Sequence, residues 1–305
     1  MQLDQRDWPA ALRDAPIQLA QRRRRINPVN LVPTLGAVLL GVTVIALVGC
    51  SGSPPAEVID VAAVKADLQV VAGARVVLGH QSVGRNILDG VREWSAELGV
   101  PLRIVEISGS PPDDLPGLFH SYIGTNGDPA SKCEAFVTLL GQPLQRPYDL
   151  AMMKFCYVDM ERRDRHDAEQ LLDQYVAMLA RLRAAHPDLR MLEVTMPLRA
   201  DPPGVRAWIK RLIGRPTEED DDNAARNAYN EALRRRFAGD SLFDLATAES
   251  TRADGSRSAF MRNGAVVYTL AQNYTTDGGH LNREGRRHIA AVFLHAIATP
   301  LRAPR

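Results

Sequence analysis

The chain predicts a three-layer α/β fold, with about five parallel strands in one sheet and helices on both faces. Two observations carry this. Short β-branched and apolar runs alternate with longer segments whose apolar residues recur every three to four positions. The strand runs are also apolar almost throughout, as in a parallel sheet covered on both sides, rather than alternating as in a sheet wet on one face. The bulk numbers suit such a fold: 305 residues, 45% hydrophobic, 24% charged and a net charge of +1. They exclude a disordered chain and give no reason to expect a nucleic-acid partner.

The elements follow in order. Residues 58–71 read as a short amphipathic helix and 74–79 as the first strand. Helical spacing runs through Ile87, Val91, Trp94 and Leu98 over 83–98, and 102–107 is strand two. A helix over 131–144 leads to strand three at 148–155, whose apolar run 150–153 lies between Asp149 and Lys154. Leu171, Leu172, Tyr175, Leu179 and Leu182 share one face of a helix over 166–185, and strand four at 189–196 is closed by Pro197. A helix over 223–237, strand five at 242–248 and a closing helix over 283–298, capped by Asn282, complete the series. This flavodoxin-like rhythm puts an active site at the carboxyl ends of the strands. Three long connections, 108–130, 199–222 and 249–276, break the rhythm and are expected to shape a pocket there. The acidic run Glu218–Asp222 reads as a solvated loop and not a metal site, because consecutive acids point in different directions.

The N-terminus predicts export. Arg22–Arg25 precede an uncharged apolar stretch over 27–49, then Cys50-Ser51-Gly52-Ser53-Pro54-Pro55. A basic region, an apolar region and a small residue before a cut describe a secretory signal. Leu47-Val48-Gly49-Cys50 resembles the bacterial lipobox, which implies a lipid on Cys50, a linker over 50–57 and a folded domain over 58–305 in the cell envelope. The same apolar stretch is nearly long enough for a transmembrane anchor. Residues 1–21, before the arginines, are unusual for a signal peptide. Of three cysteines, Cys133 and Cys156 remain for the domain, and the sequence leaves their pairing open.

Chemistry concentrates in two places. Ser82, in Gly79-His80-Gln81-Ser82-Val83-Gly84, follows strand one and opens the first long helix. Asp277-Gly278-Gly279-His280 precedes the closing helix. A serine hydroxyl needs a histidine base, and the base needs a carboxylate to fix its tautomer, so Ser82, His280 and Asp277 compose a catalytic triad. The alternatives are a Ser82 that only caps its helix and a His280 in an ordinary polar turn. His120, His166, His186 and His288 show no ligand spacing, so neither metal nor cofactor is expected.

This layout resembles the SGNH/GDSL hydrolase superfamily of esterases, lipases, carbohydrate deacetylases and acyltransferases, over roughly residues 74–297. Gly79 and Ser82 stand where that family has Gly-Asp-Ser, with one residue inserted. Asp277 and His280 match its D-x-x-H block. The resemblance implies Gly109, after strand two, as an oxyanion donor. The family's G-x-N-D block is missing: strand three runs into Cys156-Tyr157-Val158-Asp159, where Asp159 alone fits. Asn126, Lys154 and Tyr157 are the candidate substitutes, with Asn126 also readable as the turn residue of an Asn-Gly pair, and His80 is either a substrate contact or a structural residue bonded to the backbone. The implied substrate is an acyl ester or acylated glycan or lipid of the envelope. Two rivals remain. The G-x-S-x-G elbow of α/β-hydrolases is one residue away, but that fold places several strands before its serine. A lipoprotein that binds glycan or lipid without catalysis could keep the same fold.

Overall fold

The computed structural model describes residues 59–161, 167–201, 217–237 and 242–304. The signal, Cys50, the linker and His166 lie outside them. The elements are α1 (Val61–Ala72), β1 (Arg75–His80), α2 (Ser82–Leu98), β2 (Ile104–Glu106), β3 (Gly117–Tyr122), α3 (Pro129–Leu140), β4 (Leu150–Met153) and α4 (Ala168–Ala185). They continue with β5 (Arg190–Met191), β6 (Glu193–Val194), α5 (Glu218–Arg236), β7 (Leu242–Phe243) and α6 (Leu245–Ser250). A hairpin of β8 (Ala259–Arg262) and β9 (Ala265–Tyr268) precedes α7 (Arg283–Arg302).

Five parallel strands form the central sheet in the order β2-β3-β1-β4-β5. Leu192 N–H donates to Ala151 O across the gap between β5 and β6, and β6 pairs in parallel with β7. Strand alternation divides the core. Val76 and Leu78 join a cluster with α1, α2 and α7, while Val77 joins Phe136, Leu179 and Leu233 on the other face. The three-layer α/β reading holds.

Helix α2 shows what fixes an element here. It buries Val83, Ile87, Leu88, Val91 and Trp94, each contributing on the order of 2 kcal/mol. That outweighs the cost of roughly 1 kcal/mol each for Gly84 and Gly90 inside a helix.

Four expectations need correction. The connection 108–130 contains β3, which lies between β2 and β1. The connection 249–276 opens on the end of α6 and contains the β8–β9 hairpin. Predicted strand five ends at Phe243, and Asp244 caps α6. The acidic run Glu218–Asp222 is the first turn of α5, not a loop: Thr217 caps it, Asp220 bonds back to Thr217 N–H, and the acids face the positive end of the helix. Cys133 and Cys156 are free, buried and on opposite faces of the sheet. Among the described residues, no helix is long and apolar enough to cross a membrane.

Candidate active site

The turn from β1 into α2 is built to hold Ser82 at the first position of the helix. Gln81 is the N-cap residue but makes no side-chain cap bond. Its amide instead donates to Ile123 O at 2.7 Å and Gly124 O at 3.1 Å, stitching the turn to the loop after β3. Ser82 is therefore not a cap, and its hydroxyl is available for other work.

Beneath the turn, His80 is fully buried. Its Nδ1 donates to Gln81 O at 2.7 Å, since a carbonyl only accepts, and its Nε2 accepts from His120 Nδ1 at 3.0 Å. Burial lowers the His80 pKa to about 3 and the His120 pKa to about 4. Of the two readings of His80, the structure supports the backbone-bonded structural one and not the substrate contact, because both ring nitrogens are spent on the interior. Gly84 is required by the same packing, because a Cβ there would come 2.4 Å from His80 Cβ. Neither Gly79 nor Gly84 has a positive φ; both permit close approach rather than a tight turn.

The loop before α7 brings its two polar side chains to Ser82. His280 Nε2 accepts from Ser82 Oγ at 2.9 Å, and His280 Nδ1 donates to Asp277 Oδ2 at 2.7 Å. The other carboxylate oxygen of Asp277 accepts from the backbone N–H groups of Gly279 at 2.9 Å and His280 at 2.8 Å. Partial desolvation pushes the Asp277 carboxyl up, but these N–H groups and the imidazole outweigh it and hold it well below the usual carboxylate range. Asp277 thus stays ionised in acid. Tyr157 stands edge-on to His280, with ring centroids 6.1 Å apart. A Cβ on Gly279 would meet the Tyr157 hydroxyl at 2.9 Å, so the loop needs glycine to pass it.

The remaining candidates separate. Gly109 follows β2, which β3 divides from β1, so it sits one strand further from the nucleophile than the sequence implies. The loops flanking Ser82 are those after β3 and β4. Lys154 is enclosed, its amine donating to Phe155 O at 3.3 Å and its pKa lowered by burial. It is a core residue and not a donor presented to solvent. Asn126 is exposed on the loop after β3, and its Oδ1 accepts from Lys132 Nζ at 3.0 Å.

Lys132 and its pairing with Asp159 are what sequence reasoning missed. Their side chains, both 0% exposed, meet at 2.6 Å. Asp159 also accepts from Gly127 N–H at 2.9 Å and Cys156 N–H at 2.7 Å, tying the end of β4 to the Asn126 loop. The signal was present: Lys132 falls on the apolar stripe of α3 with Pro129, Cys133 and Phe136. A lysine there must find a buried partner. Among the described residues, no three His, Cys, Asp or Glu side chains group as metal ligands do.

No known family and no curated protein matches the chain. Solved structures resemble it distantly. A carbohydrate esterase family 3 protein from Talaromyces cellulolyticus is 15% identical over 76% of this chain and 100% of its own, with a TM-score of 0.44. A lipase/acylhydrolase from Enterococcus faecalis is 13% identical over 76% and 99%, at 0.40. A carbohydrate acetylesterase family member from Sinorhizobium meliloti is 13% identical over 74% and 99%, at 0.40. These TM-scores lie below 0.5, and the functional reading stands on the chain's own residues.

Proposed function

We propose that the chain is a serine ester hydrolase of the SGNH/GDSL type, with Ser82 as nucleophile, His280 as base and Asp277 as the orienting acid. The observation that carries this reading is the unbroken hydrogen-bond chain Ser82–His280–Asp277. Ser82 Oγ attacks the ester carbonyl carbon as His280 Nε2 takes its proton, and Asp277 steadies the imidazolium. His280 then gives that proton to the departing alcohol, leaving an acyl-serine. Water, deprotonated by His280, attacks the acyl-serine; the acid leaves and Ser82 recovers its proton.

The oxyanion needs donors. Ser82 N–H has no partner within its own helix and lies at the helix's positive end. Asn126 is the second donor in this scheme, replacing the asparagine missing after β4. Lys132 occupies its carbonyl oxygen, which leaves Nδ2 to donate.

The test is covalent and kinetic. A fluorophosphonate probe should label wild-type protein at Ser82 and should label neither Ser82→Ala nor His280→Ala. Both variants should lose several orders of magnitude in kcat on p-nitrophenyl acetate, and the double variant little more. An unlabelled wild type without esterase activity would leave the fold as a binding module.

The envelope location is proposed on the N-terminal signal alone. Cys50 is the expected lipid attachment point. Cys50→Ala should accumulate as a larger, unprocessed precursor that takes up no labelled palmitate; processing at another residue would overturn this.

A further inference from the structure

Beside the Asp277 loop, away from the Ser82–His280 bond, lies a cavity of about 330 Å³, at the lower end of the size of small-molecule sites. Its walls are unusual. Arg199, Asp201, Glu219, Gln272, Thr276 and Asp277 line it, and among the described residues the only apolar side chain in the lining is that of Ala200. The Arg199–Ala200 wall is held in place. Ala200 N–H donates to Gly278 O at 2.8 Å, and Asn223, almost fully buried, bonds both the N–H and the carbonyl of Arg199. The Arg199 guanidinium lies over the Tyr157 ring at 5.3 Å and pairs with Glu219 at 3.2 Å.

Chemistry selects the occupant. A hydrocarbon acyl chain would strip water from four charged groups and return no hydrogen bond. A phosphate or carboxylate would face three carboxylates with one guanidinium, itself already paired. A neutral polyhydroxyl ring uses what is there: carboxylates and carbonyls accept from its hydroxyls, while arginine, threonine and the second N–H of the Gln272 amide, whose nitrogen already donates to Asp201 O, can donate to them. Asp277 is shared between the cavity and the triad, so one imidazole ring separates the cavity from the Ser82–His280 bond. A ligand reaching both must be longer than one sugar.

We propose that this cavity is a glycan subsite, which holds a sugar ring of an acylated neutral oligosaccharide while a neighbouring ring presents its ester to Ser82. The inference rests on the hydrolase reading and narrows its substrate from glycan or lipid to glycan.

Two measurements on the full-length protein test it. In hydrolysis, O-acetylated xylotetraose is compared with p-nitrophenyl acetate. Arg199→Ala and Gln272→Ala should each lower kcat/KM at least tenfold more for the oligosaccharide, mainly through KM. In binding, Ser82→Ala should broaden the NMR lines of unacetylated xylotetraose, and Gln272→Ala in that background should abolish the effect. Equal losses on both substrates, or a preference for p-nitrophenyl octanoate that the same variants diminish, overturn the subsite. Binding without any hydrolysis or probe labelling would keep the subsite and reject the hydrolase. Absence of binding with hydrolysis intact would do the reverse.

Discussion

In the proposed mechanism, Asn126 divides one amide between structure and chemistry. Its oxygen is anchored by Lys132, whose charge is already matched by Asp159 in a site closed to water. An amide fixed through its oxygen keeps its nitrogen aimed, and aiming before the charge develops is what makes an oxyanion donor effective. Asn126→Ala should therefore lower kcat on p-nitrophenyl acetate by roughly 10²–10³-fold, the usual loss for one such donor, with KM little changed. Asn126→Asp should do at least as badly, because it replaces a donor with a negative charge. Both should still be labelled at Ser82 by fluorophosphonate, only more slowly. Steady-state kinetics decide it: a kcat within twofold of wild type for Asn126→Ala assigns the stabilisation elsewhere.

At the level of elements, the site is made by strand ends, and that is why part of it could be read in advance. Ser82 follows an unmistakable strand, and Asp277 and His280 precede an unmistakable helix, so their neighbourhood follows from topology. β3 was unreadable because Gly117-Leu118-Phe119-His120-Ser121-Tyr122 mixes a glycine, a histidine and a serine into a strand buried as far as Ser121. His120 is tolerated there only through its bond to His80, a partner 40 residues away. Missing β3 put Gly109, after β2, next to the nucleophile, a place that the loop after β3 takes. The acidic start of α5 was misread for a related reason. Charge alone suggests solvent, whereas Thr217 and Asp220 compose a capping box that spacing of three residues encodes. Lys132 and Asp159 show the general limit: a buried ion pair joins two positions that no local pattern connects.

For the whole molecule, buried ionisable groups set opposing pH dependences. His80 and His120 stay neutral in the fold at pKa values of about 3 and 4, against an ordinary 6.5. Below 6.5 the unfolded chain binds protons that the native chain refuses, so stability falls as pH drops toward 4 and 3. Glu249 acts the other way. Its burial outweighs the Leu198 N–H, Lys154 and Arg226 and pushes it up to about 8, from 4.5. Between those values the native state keeps a proton that the unfolded state has released, so stability falls as pH rises toward 8. Among the described residues its second oxygen has no hydrogen-bond partner, which makes the charged form costlier still. Glu249→Gln keeps the shape and the acceptor for Leu198 N–H while removing the titration. Urea unfolding at pH 4.5, 6 and 8 should show the variant and wild type nearly equal at 4.5 and increasingly different above it. By pH 8 the variant should be more stable by on the order of a few kcal/mol, at unchanged m. The variant should retain the acid-side decline below 6.5, which belongs to the histidine pair. A gap between the two proteins that does not change with pH would mean that Glu249 is ionised in the native state, and that the charge is neutralised by Lys154 rather than avoided.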